Sequence, residues 1–174
     1  MTGPPGSDTT IALDVGGTTI KSGLVRSTGE IVYAQRHPTD AARGSGAVVA
    51  TVLDLAERLA ATAREKDLRP VAAGVVVPGV VDEAAGVAVW SANVGFRDVP
   101  LRDLVSARLG LPSALGHDVR AGGVAEARLG AARGVTHVLF VAIGTGIAAA
   151  HVVRGHAHAG AHGAASEIGH VVVR

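Results

Sequence analysis

Cysteine is absent from the 174 residues, which removes disulfide scaffolds and thiolate metal sites within the chain. Aromatic side chains make up 2% of the sequence, so a core has to be assembled from Ala, Val, Leu and Ile. Lysine occurs only at Lys21 and Lys66, and 16 basic residues are offset by 15 acidic ones. The basic stripe that a nucleic-acid binder needs is missing, and no nucleic-acid partner is expected. Apolar runs such as Val71–Val77 are far shorter than a membrane span. Residues Met1–Asp8 hold no apolar stretch of the kind a signal peptide requires. What the chain does have is 48% hydrophobic and 18% charged residues, which excludes disorder as its overall state. Its 24 glycines follow no three-residue period, which excludes collagen. The expectation is a soluble, cytoplasmic α/β protein with no membrane partner.

The order of segments carries that expectation further. Thr9–Val15, Thr18–Arg26 and Ile31–Arg36 are strand-like runs joined by tight turns, which predicts an antiparallel meander. Val48, Val52, Leu55 and Leu59 recur at helical spacing after Gly44–Gly46, and Pro70 is expected to end that helix. The unbroken apolar run Val71–Val77 predicts a strand buried on both faces. Leu101–Leu109 reads as a helix between Pro100 and Gly110. Ser113–Gly116 reads as a short strand, and Asp118 as the N-cap of a helix running to Leu129. Thr136–Ile143 and Ile147–Arg154 are two further strands, followed by a Gly/Ala/His loop over Gly155–Gly163 and a last strand at Val171–Val173.

Two glycine turns are candidates for chemistry. In Asp14-Val15-Gly16-Gly17-Thr18-Thr19-Ile20-Lys21, adjacent glycines let backbone N–H groups approach an anion, with Thr18, Thr19 and Lys21 adding donors and charge. Asp14 can hold a hydrated Mg²⁺ through water. The same residues also fit an ordinary Gly-Gly hairpin. Gly144-Thr145-Gly146 is a second turn between strands, and two such turns suit the two walls of a nucleotide phosphate site. His151, His156, His158 and His162 read as a solvated loop rather than a metal cluster, and Trp90 and Phe96 as local packing around Asn93.

Six stretches, in order from Asp14 to His170, resemble the ROK family of sugar kinases and repressors, in the actin/hexokinase-like superfamily. Asp14–Lys21 is similar to its D-x-G-G-T-x-x-K phosphate loop, and Gly74-Val75-Val76-Val77-Pro78-Gly79-Val80-Val81-Asp82 to its G-x-x-x-P-G-x-x-D segment. Asn93 stands where a substrate-binding asparagine follows. Gly116-His117-Asp118-Val119-Arg120-Ala121 resembles the segment with the catalytic aspartate, Gly144-Thr145-Gly146-Ile147 the second phosphate loop, and Glu167-Ile168-Gly169-His170 the E-I-G-H sugar-binding signature. The departures are His117 and Arg120, where asparagines are common, Ala148–Ala150 in place of glycines, and Ser166 in place of glycine.

The resemblance implies a mixed-sheet, ribonuclease H-like α/β domain over residues 1–117 and the incomplete start of a second such domain over 118–174. It implies an ATP- and Mg²⁺-dependent kinase acting on glucose or a related hexose such as N-acetylglucosamine, with a non-catalytic sugar-sensing regulator as the alternative. Asp118 would be the general base. Asn93, Asp118, Glu167 and His170 would hold the sugar, and Asp14, Gly16, Gly17, Thr18, Thr19, Lys21, Gly144, Thr145 and Gly146 would hold phosphate and Mg²⁺. His170 would ligate a structural zinc whose remaining ligands lie outside this chain. A full-length version would form a homo-oligomer, and the 174-residue chain alone is expected to be inactive.

Overall fold

A computed structural model describes residues 7–144, 146–165 and 167–172, in two units, Met1–Gly116 and His117–Arg174. In the first, β1 (Asp8–Val15), β2 (Thr19–Val25) and β3 (Ile31–Pro38) form the meander that the turns predict. A crossover through α1 (Ser45–Glu65) brings β4 (Arg69–Val77) parallel to β1. With β8 (Ser113–His117) the sheet has the mixed order β3-β2-β1-β4-β8. Ile11, Leu13, Val15, Ile20, Leu24, Val75 and Val77 share one core with Val48, Val52, Leu55, Ala56 and Leu59 of α1. That is the stripe expected of an amphipathic helix laid on a sheet.

Two expectations need correction here. α1 ends at Glu65, not at Pro70. Asp67 turns the chain with φ 54°, and Pro70 lies inside β4 beside a register shift, where a missing N–H is tolerated. Nor is β4 buried on both faces. Ala73, Val75 and Val77 are buried, whereas Gly74 and Val76 are only half-buried and line a trough of about 590 Å³ walled by strand residues alone. Ala34, Gly23, Ala12 and Gly74 are paired across four strands along its floor.

A second sheet, β5 (Val80–Asp82), β6 (Val87–Ser91) and β7 (Phe96–Val99), has no counterpart in the sequence reading. Strands of three to five residues are too short to show a period. α2 (Leu101–Leu109) lies between Pro100 and Gly110 as its spacing predicts; Gly110 closes it at φ 65°, the left-handed position that glycine fills at no steric cost.

In the second unit α3 (Asp118–Leu129) packs on a sheet of β9 (His137–Ile143), β10 (Ile147–Val153) and β11 (His156–Ala157). A Cβ added at Gly123 would stand 3.0 Å from Ala150 Cβ, so this helix lies close to its strands. β11 falls within the segment read as a loop. Ile168–His170 is a 3-10 turn; Val171 and Val172 are exposed and form no strand, and Val173 lies outside the described residues. No described helix is long and apolar enough to cross a membrane.

Candidate functional site

The first glycine turn is a true β1–β2 hairpin whose flanking strands fix its register. Asp14 and Lys21 are direct cross-strand partners, and Lys21 Nζ donates to Asp14 Oδ2 at 2.9 Å. Gly16 N–H donates to the Thr19 carbonyl at 3.0 Å. The turn is held from outside by Thr39, a buried residue just after β3: its N–H donates to the Thr18 carbonyl at 3.0 Å and its Oγ1 donates to the Gly16 carbonyl at 2.6 Å. Sequence reasoning missed Thr39 because nothing local marks a hydroxyl that acts 23 residues away.

The glycines are required for space rather than for backbone sign. Neither Gly16 nor Gly17 has a positive φ. A Cβ at Gly16 would stand 2.9 Å from the Thr19 carbonyl, and one at Gly17 would stand 3.1 Å from Asn93 Cβ. The fold thus brings Asn93, one of the sequence candidates, directly against the turn. Asn93 is itself exposed, in the β6–β7 connection, which buried Val94 and a 2.8 Å bond from Gly95 N–H to the Ser91 carbonyl hold in shape. Phe96 is fully buried beneath it, as expected of packing, but Trp90 is 45% exposed and is not a core residue.

In the second unit the helix α3 begins at Asp118, and its N-cap is His117, not Asp118 as the sequence suggested. His117 Nδ1 accepts from Arg120 N–H at 3.4 Å. Asp118 therefore occupies the first helical position. Its Oδ1 accepts from Val119 N–H at 2.7 Å. His117 also approaches two carboxylates: Nδ1 is 3.5 Å from Asp118 Oδ1 and Nε2 is 3.7 Å from Glu167 Oε1. The Asp118 and Glu167 side chains are 30% and 36% exposed, while His117 is 4% exposed. Arg120, equally buried, donates from Nη1 to the Gly163 carbonyl at 2.9 Å and ties the segment leading to Glu167 onto α3. Sequence comparison with the family pattern marked both His117 and Arg120 as departures without giving either a role.

Gly144 and Gly146 close the β9–β10 turn through a 2.9 Å bond from Gly144 N–H to the Gly146 carbonyl, and a Cβ at either would meet open space. Thr145, Ser166 and the His170 side chain lie outside the described residues. His137, His151 and His158 form a stacked row on the strands, with ring centroids 6.4 and 5.5 Å apart.

The donor sets differ in their fit to metals. Asp14, a partly exposed carboxylate, suits the single carboxylate through which hydrated Mg²⁺ usually binds. For the structural zinc, the described residues hold no group of three ligating side chains, and no cysteine exists in the sequence. Those residues do not fit a zinc site.

The chain matches the ROK family over residues 10–174. It is 33% identical over 165 residues to a glucokinase of Halalkalibacterium halodurans, covering 94% of this chain and 49% of the relative. To a putative xylose repressor of Caldicellulosiruptor sp. it is 28% identical, covering 94% and 41%. Among solved structures it is similar to a Streptomyces griseus ROK glucokinase in complex with glucose and AMPPNP. That match has a TM-score of 0.83 and 30% identity, covering 95% of this chain and 51% of that one. The chain therefore spans about half the length of the relatives it matches.

Proposed function

Because the chain belongs to the ROK family, we propose that it carries the first phosphate loop, the general base and part of the sugar-binding set of an ATP-dependent hexose kinase. The observation that carries this reading is Asp118 at the first position of α3 with a carboxylate partner group, Glu167, linked to it through His117.

Phosphoryl transfer to a sugar needs positioning, charge neutralisation and a proton acceptor. Asn93, Glu167 and His170 supply donors and acceptors for sugar hydroxyls. Asp118 takes the proton of the attacking sugar hydroxyl as the hydroxyl oxygen bonds to the terminal phosphorus of ATP and the bond from that phosphorus to the bridging oxygen breaks, releasing ADP. Its Oδ1 is engaged by Val119 N–H, so Oδ2 is the oxygen that receives the proton. The Gly16–Thr19 and Gly144–Gly146 turns are assigned to phosphate binding, with Lys21 adding positive charge. Asp14 would hold Mg²⁺ through water, and the ion would supply neutralisation of phosphate charge.

The sugar-sensing regulator is the second reading, favoured by the similarity to a putative xylose repressor. A coupled assay with glucose, N-acetylglucosamine, mannose and fructose, using ATP and polyphosphate as donors, separates the two. ADP or phosphosugar formation supports the kinase; sugar binding by calorimetry with no transfer, in a protein containing the complete C-terminal sequence, supports the regulator.

A further inference from the structure

His117 stands between the proposed base and a proposed sugar-binding carboxylate, and beyond capping α3 its imidazole has been given no function of its own. It is 4% exposed, with Nδ1 accepting from Arg120 N–H at 3.4 Å and Nε2 3.7 Å from Glu167 Oε1. The acceptor role of Nδ1 fixes the tautomer: in the neutral ring the proton is then on Nε2, directed at Glu167. The charged groups facing the ring are Asp118 and Arg120 from α3 and Glu167 from the segment before the 3-10 turn.

We propose that His117 is a positioning residue that locks the Glu167 carboxylate to the N-terminus of α3. With a proton on Nε2, the ring sits between the Glu167 and Asp118 carboxylates and sets their separation. One ring spans both jobs: its Nδ1 caps the helix that carries the base, and its Nε2–H orients the carboxylate that receives the sugar. The Nε2–Oε1 separation of 3.7 Å is longer than a hydrogen bond, so the ring steers the carboxylate as a close polar neighbour, and a sugar can reach the 36% exposed Glu167 side chain. Arg120 supports the arrangement by anchoring Gly163, four residues ahead of Glu167, to the same helix. This inference deepens the kinase reading and rests on it for the word sugar, but the His117–Glu167 link is a property of the fold.

The decisive variant is His117→Asn. Asparagine is as good an N-cap as any residue, so α3 keeps its first-turn acceptor, but the shorter side chain does not reach Glu167. If His117 were only a cap, the variant would leave sugar binding and the pH profile unchanged. A positioning role predicts an unaltered thermal midpoint, glucose affinity about ten- to hundredfold weaker, and a changed pH dependence of binding.

Imidazole ¹⁵N NMR of the intact chain gives the readout that is independent of activity. The expected result is an unprotonated Nδ1 and a protonated Nε2 in His117, with a titration midpoint that falls by about one pH unit in Glu167→Gln. A His117 midpoint indifferent to Glu167→Gln, or wild-type glucose affinity in His117→Asn, overturns the proposal. Absence of sugar binding in a protein containing the complete C-terminal sequence, with the NMR coupling present, overturns the kinase reading instead and supports the link.

Discussion

Thr39 Oγ1 donates a 2.6 Å hydrogen bond to the carbonyl of Gly16, while the Thr39 N–H reaches the Thr18 carbonyl. One buried residue after β3 therefore fixes both sides of the Gly16–Gly17 turn. Thr39→Val keeps the shape and removes the hydroxyl donor. Stability should fall by about 1–2 kcal/mol, with nucleotide affinity falling as well, whereas Thr39→Ser should preserve both. Denaturant titration and nucleotide calorimetry measure the two effects. A Thr39→Val protein with unchanged nucleotide affinity would show that the loop holds its shape without this bond.

Asp118→Asn keeps the side-chain shape and removes the proton acceptor. Turnover in the proposed kinase should drop by roughly 10²–10⁴, while sugar affinity changes much less. Stability should hardly change, because His117 and not Asp118 caps the helix. Near wild-type kcat in this variant would remove Asp118 from the role of base.

Gly17 is packed against Asn93, with 3.1 Å available to a new Cβ. Gly17→Ala should therefore weaken sugar binding by displacing Asn93, and Gly17→Val should weaken both sugar and nucleotide binding more strongly. Paired calorimetric titrations with glucose and with an ATP analogue distinguish these outcomes. Loss of nucleotide binding alone would show that Asn93 does not contact the sugar.

Asp8 and Arg69 form a two-pronged ion pair, with Arg69 Nε and Nη2 2.8 and 2.9 Å from the two carboxylate oxygens. The hydrogen bond and charge of Arg69 hold the Asp8 carboxyl below its ordinary range, and Asp8 in turn raises Arg69. A depressed carboxylate contributes stability above its unfolded value and loses it as pH falls through the folded one. The stability difference between wild type and Asp8→Asn should thus be small but present at about pH 7 and smaller at about pH 3. Urea midpoints at the two pH values test this, and a difference that grows on acidification would contradict the assignment.

The elements that sequence revealed are those with room for a period or a strong punctuation mark. α1 shows its stripe over 21 residues, α2 is bracketed by Pro100 and Gly110, and the meander is joined by turn residues. The β5–β7 sheet was illegible because its strands are shorter than any pattern. The trough beside Gly74 and Val76 was illegible because continuous apolar character says nothing about which face is covered. At the candidate site, motif spacing singled out Asp14, Asn93, Asp118 and Glu167. It could not show that Gly17 abuts Asn93, that Thr39 braces the turn, or that His117 displaces Asp118 from the cap, since each depends on contacts made in three dimensions.

β1 acquires its two neighbours across very different lengths of chain: Leu13 lies opposite Ser22 on one side and Val75 on the other. Closing a longer loop costs more entropy, and non-local pairing slows folding. The meander can assemble from local contacts, but β4 must wait for the crossover through α1 to fold back on it. A variant that weakens α1, for example at Leu55 or Leu59, prolongs that wait without touching the hairpins. During it the Val71–Val77 run is an unpaired apolar edge, open to pairing with another copy of itself. Aggregation during refolding, rather than loss of the finished structure, is the characteristic failure of such a chain.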